Sequence, residues 1–232
     1  MGVYDFEWGV VLRHRAEFFG GLWLALQLAF AGLAVGSAIG LLTAFARTSG
    51  RRYLAAPAAV YVEVVRGVPL LLLIFIFYFG LPIFAYNTFR PEIADLLVLD
   101  GEASAIIALS IYAGAYLAEI FRAGILSVSG RYLDAGRSLG LTGLGLARYV
   151  TLPIMFRGVL PSLSNTFISL FKDTSLAFAI SVPELTFVAR KLNTDTFRTL
   201  EAWTAAGALY LLTSYGLALL LRVVERRIRW SV

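Results

Sequence analysis

Long uncharged stretches alternate with short clusters of arginine and acid along this chain. No charged residue occurs from Phe18 to Ala46, Gly67 to Phe89, Ala103 to Ala118, or Ala202 to Leu221. A helix rises about 1.5 Å per residue, so about 20 apolar residues cross a hydrocarbon core roughly 30 Å thick. The pattern predicts five spans, residues 18–46, 54–84, 103–125, 154–182 and 202–223, of which the second and fourth are interrupted by charge. Residues 127–153 form the loop between the third and fourth spans. There Leu133 to Leu139 can make a short helix, Gly140 suits its left-handed end, and Thr142 is placed to cap a second helix. Val3, Phe6, Trp8, Val10 and Val11 stand among charges in residues 1–17, which read as an interfacial segment ahead of a membrane domain over 18–232. The expected fold class is an all-α integral membrane protein with no separate soluble domain.

Composition agrees, with 59% hydrophobic and 15% charged residues, against roughly 25% charged in soluble domains. Asp5 and Glu7 ahead of a long first run argue for a retained span rather than a cleaved signal peptide. The net charge of +5 is better read as topology than as a nucleic-acid footprint. Arg47, Arg51 and Arg52 fill the first loop, and Arg131, Arg137 and Arg148 the third. Arg222, Arg226, Arg227 and Arg229 follow the last span, whereas the second loop is acidic, with Glu92, Asp95, Asp100 and Glu102. Positive charge marks cytoplasmic segments, so this alternation places the N-terminus outside and the C-terminus in the cytoplasm.

Some chemistry is excluded. The chain has no cysteine and one histidine, His14, so neither a thiolate or clustered-histidine metal site nor a Ser-His-Asp set is expected. Its two lysines, Lys172 and Lys191, follow Phe171 and Arg190, and no Gly-Lys-Ser/Thr phosphate loop is possible. No catalytic residue and no cofactor are expected on this chain.

Charges within spans are costly and usually face a cavity or one another. Counting along the expected helices, Glu63 lies roughly 13 Å into the second span and Lys172 roughly 21 Å into the fourth. Glu63 and Arg66 are spaced to share a helix face. Pro69 cannot donate to the Val65 carbonyl, which would leave that oxygen free beside them. Asn165, Ser169, Lys172 and Asp173 form a polar stripe on the fourth span, with Ser175 just beyond. Glu63 or Asp173 can take the ammonium of an amino acid zwitterion, and Arg66 or Lys172 its carboxylate. The alternative is that these charges only neutralise one another. Glu119 and Arg122 read as structural or interfacial, and Gly32, Gly36 and Gly40 as a packing stripe.

The loop carries the most specific signal. Asp134-Ala135-Gly136 is followed by Gly140 and then, after nine residues, by Val150-Thr151-Leu152-Pro153. This resembles the EAA signature of ABC importer permeases, with Asp for Glu and Gly for the second Ala. Glu63-Val64-Val65-Arg66-Gly67-Val68-Pro69-Leu70-Leu71 resembles the E-x-x-R-G-T-P-L-L stretch of their polar amino acid subfamily, with Val68 for Thr. Lys172-Asp173-Thr174-Ser175-Leu176 matches the subfamily's K-D-T-S-L stretch in full. The resemblance implies a subunit that imports a polar amino acid across the bacterial inner membrane by alternating access. It implies as partners a second permease chain (identical or related), two ABC ATPase subunits and an external solute-binding protein, with no nucleic acid. ATP and magnesium would act on the ATPase. Asp134, Ala135, Gly136, Leu139, Gly140 and Leu141 would form the cytoplasmic coupling helix that docks on it. A standalone ion-coupled carrier or channel, using Glu63 or Asp173 as its ion site, is the alternative, and a non-transporting membrane scaffold a third reading.

Overall fold

The computed structural model describes residues 4–229; Val3, expected in the interfacial segment, lies outside them. In chain order the helices are α1 (Gly9–Arg13), α2 (Arg15–Thr48), α3 (Arg52–Gly67), α4 (Leu70–Phe75), α5 (Leu81–Thr88), α6 (Pro91–Ala94), α7 (Gly101–Leu126), α8 (Gly130–Ser138), α9 (Gly143–Leu146), α10 (Leu152–Asp173), α11 (Leu185–Thr196) and α12 (Thr199–Arg229). Five stretches are long and apolar enough to cross a membrane: Arg15–Thr48, Leu70–Thr88, Gly101–Leu126, Gly143–Ile180 and Thr199–Arg227. The expected number of spans and the all-α class hold.

The second span does not run as expected. Residues 54–84 are not one helix, because α3 ends at Gly67 and Val68 is extended, with φ −104° and ψ 131°. The residue before a proline is pushed away from helical geometry, and Pro69 has no N–H with which to continue the ladder. The Val65 carbonyl is not left free: the Val68 N–H donates to it at 3.4 Å. Glu63 and Arg66 therefore sit on a separate helix, outside the apolar stretch that begins at Leu70.

Two other prolines are absorbed rather than obeyed as stops. π turns at Ile76–Gly80 and Ala147–Thr151 precede Pro82 and Pro153. In each case the carbonyl four residues before the proline, on Tyr78 or Tyr149, lies in the widened turn, where the ring has no ladder bond to displace.

The residues cluster into two compact units, one of Met1–Gly32, Leu70–Leu109 and Ile168–Leu217, the other of Leu33–Pro69, Ser110–Phe167 and Ala218–Val232. In the first, Val10, Phe18, Leu185, Val188, Leu192 and Ala206 form a buried cluster. The N-terminal segment is part of this packing through Val10, while Phe6 and Trp8 stay exposed and stack at 6.1 Å. Gly32 belongs here too, since a Cβ on it would come within 2.9 Å of the Leu109 Cβ. In the second unit Gly36 and Gly40 meet Ala113 and Leu117 in the same way, at 2.9 and 2.8 Å. These separations are too short for any side chain, so the α2 stripe is a close helix contact, as its spacing predicts.

Gly40→Val should therefore lower stability by about 2 kcal/mol through overpacking, and its thermal midpoint in detergent should fall. Gly20→Ala, where a Cβ meets nothing within 4 Å, should leave that midpoint unchanged or raise it slightly, because alanine holds a helix better.

Candidate functional site

The third-loop helix is built around Gly140. At the end of α8 the Gly140 N–H donates to the Arg137 carbonyl at 2.9 Å and the Leu141 N–H to the Gly136 carbonyl at 3.0 Å. This pair of bonds is the Schellman closure, and it requires the left-handed φ of +81° found at Gly140. Thr142 stands at the N-cap of α9 but makes no side-chain capping bond. Asp134 pairs with Arg137 at 2.9 Å on the exposed face, a contact worth little by itself.

Of the six loop residues singled out, Asp134, Ala135, Leu139 and Gly140 are exposed and Leu141 is partly so. Gly136 is different. It is buried, and a Cβ on it would meet Leu146 at 2.7 Å and Val150 at 3.2 Å. Its small size lets α8 lie on the following turn of its own chain. Leu139 is 83% exposed and Leu144 84%, and Tyr132 and Tyr149 are exposed beside them in sequence. Burying one leucine is worth about 1.5–3 kcal/mol, none of which this chain recovers at Leu139 or Leu144. Sequence reasoning passed over Leu144, although its place between two glycines, Gly143 and Gly145, keeps it clear of helix packing.

The polar groups of the fourth span divide between the units. Ser169, Lys172, Asp173 and Ser175 belong to the first. α10 ends at Asp173 and a 3-10 segment, Thr174–Ile180, takes over, so the Lys-Asp-Thr-Ser-Leu stretch straddles the change in winding. Thr174 is fully buried and its hydroxyl donates to the Phe171 carbonyl at 2.7 Å. Lys172 and Ser169 are exposed, and Asp173 and Ser175 half-buried. Among the described residues neither Lys172 nor Asp173 enters an ion pair.

Asn165, Glu63 and Arg66 belong to the second unit, and all three are exposed. Glu63 and Arg66 share a helix face but form no ion pair. The Arg66 guanidinium instead lies over the Tyr116 ring, 5.1 Å from its centre, a cation–π contact. A cavity of about 580 Å³ opens beside it, lined by Arg66, Glu119, Ser127, Gly158 and Ser162 among others. Glu119 is committed within the unit. Arg47, in the last turn of α2, donates to its Oε1, and Arg122 donates to Oε2 through Nε at 3.0 Å and Nη2 at 2.9 Å. The structural reading of Glu119 and Arg122 holds, with Arg47 as the missing third member.

Two buried carboxylates were not singled out in the sequence, and both stabilise the first unit. Glu184 is fully buried and caps α11, accepting from the N–H groups of Thr186 at 2.8 Å and Phe187 at 2.9 Å and from the Tyr210 hydroxyl at 2.7 Å. Burial pushes its carboxyl above the ordinary value near 4.5, against the pull of these donors. Glu201 is also buried, and accepts from the Tyr4 hydroxyl and from the Glu7 N–H at 2.8 Å. Arg198 ties the same segment down through Glu7 at 2.9 Å. The available signal was Pro183-Glu184 directly ahead of a helical run, where an acid can cap.

Residues 36–230 match the model of a family described as binding-protein-dependent transport system inner membrane component. The chain is 37% identical to the glutamine transport system permease protein of Escherichia coli (strain K12) over 97% of this chain and 99% of that one. It is 37% identical to an octopine transport system permease protein of Rhizobium radiobacter, over 88% of this chain and 83% of that one. A crystal structure of an amino acid ABC transporter with histidines superposes with a TM-score of 0.82 at 30% identity, covering 97% of this chain and 100% of the other.

Two tests follow from the carboxylates. Glu119→Leu strands two partly buried arginines and should cost about 2 kcal/mol, less than the 3–5 typical of full burial. Adding Arg47→Met should recover part of it in the same thermal-unfolding assay. A carboxyl whose folded pKa is raised stabilises the fold fully below its unfolded pKa and loses that contribution as pH rises through the folded value. Wild type should therefore gain stability relative to Glu184→Gln as pH is lowered from 7 toward 5, and a pH series of unfolding midpoints reads the difference.

Proposed function

The chain belongs to the family of binding-protein-dependent transport system inner membrane components, and on that premise we propose that it is the permease subunit of an ATP-driven importer for a polar amino acid. It is a multi-pass inner membrane protein. The relatives named for glutamine and octopine transport support a polar, zwitterionic cargo. The observation that carries the reading is the third-loop helix, α8. A glycine-closed turn presents the bare leucine Leu139 from a loop rich in arginine, in a chain with no phosphate loop of its own.

In this reading α8 is the coupling helix, and the surface formed by Asp134, Ala135, Leu139, Gly140 and Leu141 docks on an ABC ATPase. Gly136 supports it from within. ATP and magnesium act on that partner. Two permease chains, identical or related, would line the path, two ATPases would drive alternating access, and an external solute-binding protein would deliver cargo. The arginine distribution supports an external N-terminus and a cytoplasmic C-terminus. Residues 4–17 would rest at the outer interface through Phe6 and Trp8.

Lys172 and Asp173, in no ion pair among the described residues, are proposed to meet the cargo's carboxylate and ammonium, with Ser169 and Ser175 beside them in sequence. Glu63, Arg66 and Asn165, all in the second unit, are proposed separately as polar residues of the transport path.

In liposomes containing the permease, its ATPase and its binding protein, substrate-stimulated ATP turnover measures coupling. Leu139→Glu with Gly140→Val should reduce the stimulation by roughly tenfold or more, the equivalent of losing one buried leucine at the interface. Wild-type stimulation in that variant would refute the docking assignment. Asp173→Asn should lower uptake while leaving binding of the ATPase intact, measured by co-purification.

A further inference from the structure

Glu184 is an uncommon choice for the start of α11. Serine, threonine, aspartate and asparagine cap helices more readily, and a buried carboxylate is costly unless donors meet it. Here both oxygens are met. Oε1 accepts from the Phe187 N–H at 2.9 Å, and Oε2 from the Thr186 N–H at 2.8 Å and the Tyr210 hydroxyl at 2.7 Å. The longer arm of glutamate thus caps its own helix and reaches across to α12 at once. On the other side α2 closes in, since a Cβ on Gly21 would come within 3.0 Å of the Glu184 carbonyl carbon and the Leu185 backbone. That leaves the Glu184 backbone little room to shift, and the carboxylate holds the Tyr210 hydroxyl in one place.

Tyr210 in turn bears on both neighbours of Lys172 and Asp173. Its ring packs on Phe171 with centroids 5.3 Å apart, and the fully buried Thr174 brings its hydroxyl to the Tyr210 oxygen. Thr174 also donates to the Phe171 carbonyl at 2.7 Å, so residues 171 and 174 are tied to each other as well as to α12. Between them α10 gives way to the 3-10 segment, with Asp173 as the last α-helical residue. A carboxylate there gains nothing from the helix, whose C-terminal end is itself partly negative. No ion pair among the described residues holds it either. Its placement is left to the backbone on either side, and Tyr210 fixes both sides. Lys172, by contrast, is exposed on a long flexible stem, so its ammonium depends less on where the backbone lies.

We infer that Tyr210, locked by Glu184, is a positioning residue for Asp173, fixing that carboxylate at the α10 junction where it meets the cargo's ammonium. The inference rests on the proposed cargo contact at Asp173 and adds to it two residues that touch no cargo. Holding a charge in its bound position strengthens binding by removing the cost of ordering it on contact.

The test uses the purified permease–ATPase complex and equilibrium binding of radiolabelled L-glutamine, L-histidine, L-arginine and L-cystine. The one that wild type binds most tightly serves as the probe. Asp173→Asn should weaken it about tenfold, the loss of one charge-assisted pair. Tyr210→Phe keeps the ring against Phe171 and removes only the hydroxyl. It should weaken the probe roughly fivefold, with the number of sites per complex as in wild type. A merely structural role would lower the number of sites and leave Kd unchanged. Glu184→Gln keeps one acceptor oxygen and should fall between wild type and Glu184→Ala. Tyr210→Phe combined with Asp173→Asn should bind within about twofold of Asp173→Asn alone, whereas independent sites would multiply to roughly fiftyfold. A wild-type Kd in Tyr210→Phe, or multiplication in the double variant, overturns the positioning role alone. An unchanged Kd in Asp173→Asn overturns the cargo contact beneath it. Should Glu184→Ala fail to assemble, Tyr210→Phe and the double variant still decide.

Discussion

Hydrocarbon supplies no hydrogen-bond partner, so a backbone that crosses it must bond its own N–H and carbonyl groups. That constraint decides how this chain treats its prolines. Before Pro82 and Pro153 the helix widens into a π turn and continues, keeping the path continuous. Before Pro69 it stops instead: Val68 turns extended and its own N–H takes the Val65 carbonyl. The stop makes α3 a separate helix and brings Glu63 and Arg66 outside the second apolar stretch. The same rule explains the close glycine contacts along α2, because apolar surfaces gain little from lipid exclusion and association must come from close packing.

Charge follows a second division. Some ionised groups are paired, and their pairing fixes the fold. Glu119 joins Arg47 to Arg122, and Glu201 and Arg198 hold residues 4–7 against the start of α12. Others form no ion pair among the described residues. Lys172, Asp173 and Arg66 are the clear cases. A fold that merely needed neutrality would have paired them. Their availability is what makes recognition of a zwitterion chemically reasonable.

Several elements were legible in the chain because their causes are local. Long apolar stretches gave the number of spans, two of them despite interrupting charges, and the Gly140 position gave the end of α8, since only glycine takes a φ of +81° without strain. The glycine stripe at 32, 36 and 40 was readable from spacing alone. Other features were not. Gly136 lacks a Cβ whether it faces a partner or its own Leu146, and only the fold separates the two. Glu184 and Glu201 look like loop acids in sequence, because burial depends on what folds over them.

By itself, then, the sequence determined that the chain spans a membrane about five times and where the third-loop helix closes. Periodicity, prolines and glycines act within a few residues of themselves, so these features needed no knowledge of distant neighbours. The tertiary structure decided which charges are spent. Arg47 and Glu119 are 72 positions apart, and Tyr4 and Glu201 are 197 apart. No local rule links such pairs, since an ion pair or a buried hydrogen bond depends on distance in space. Only once those partners are known does Arg66, lying over the Tyr116 ring, stand out from the chain's other arginines.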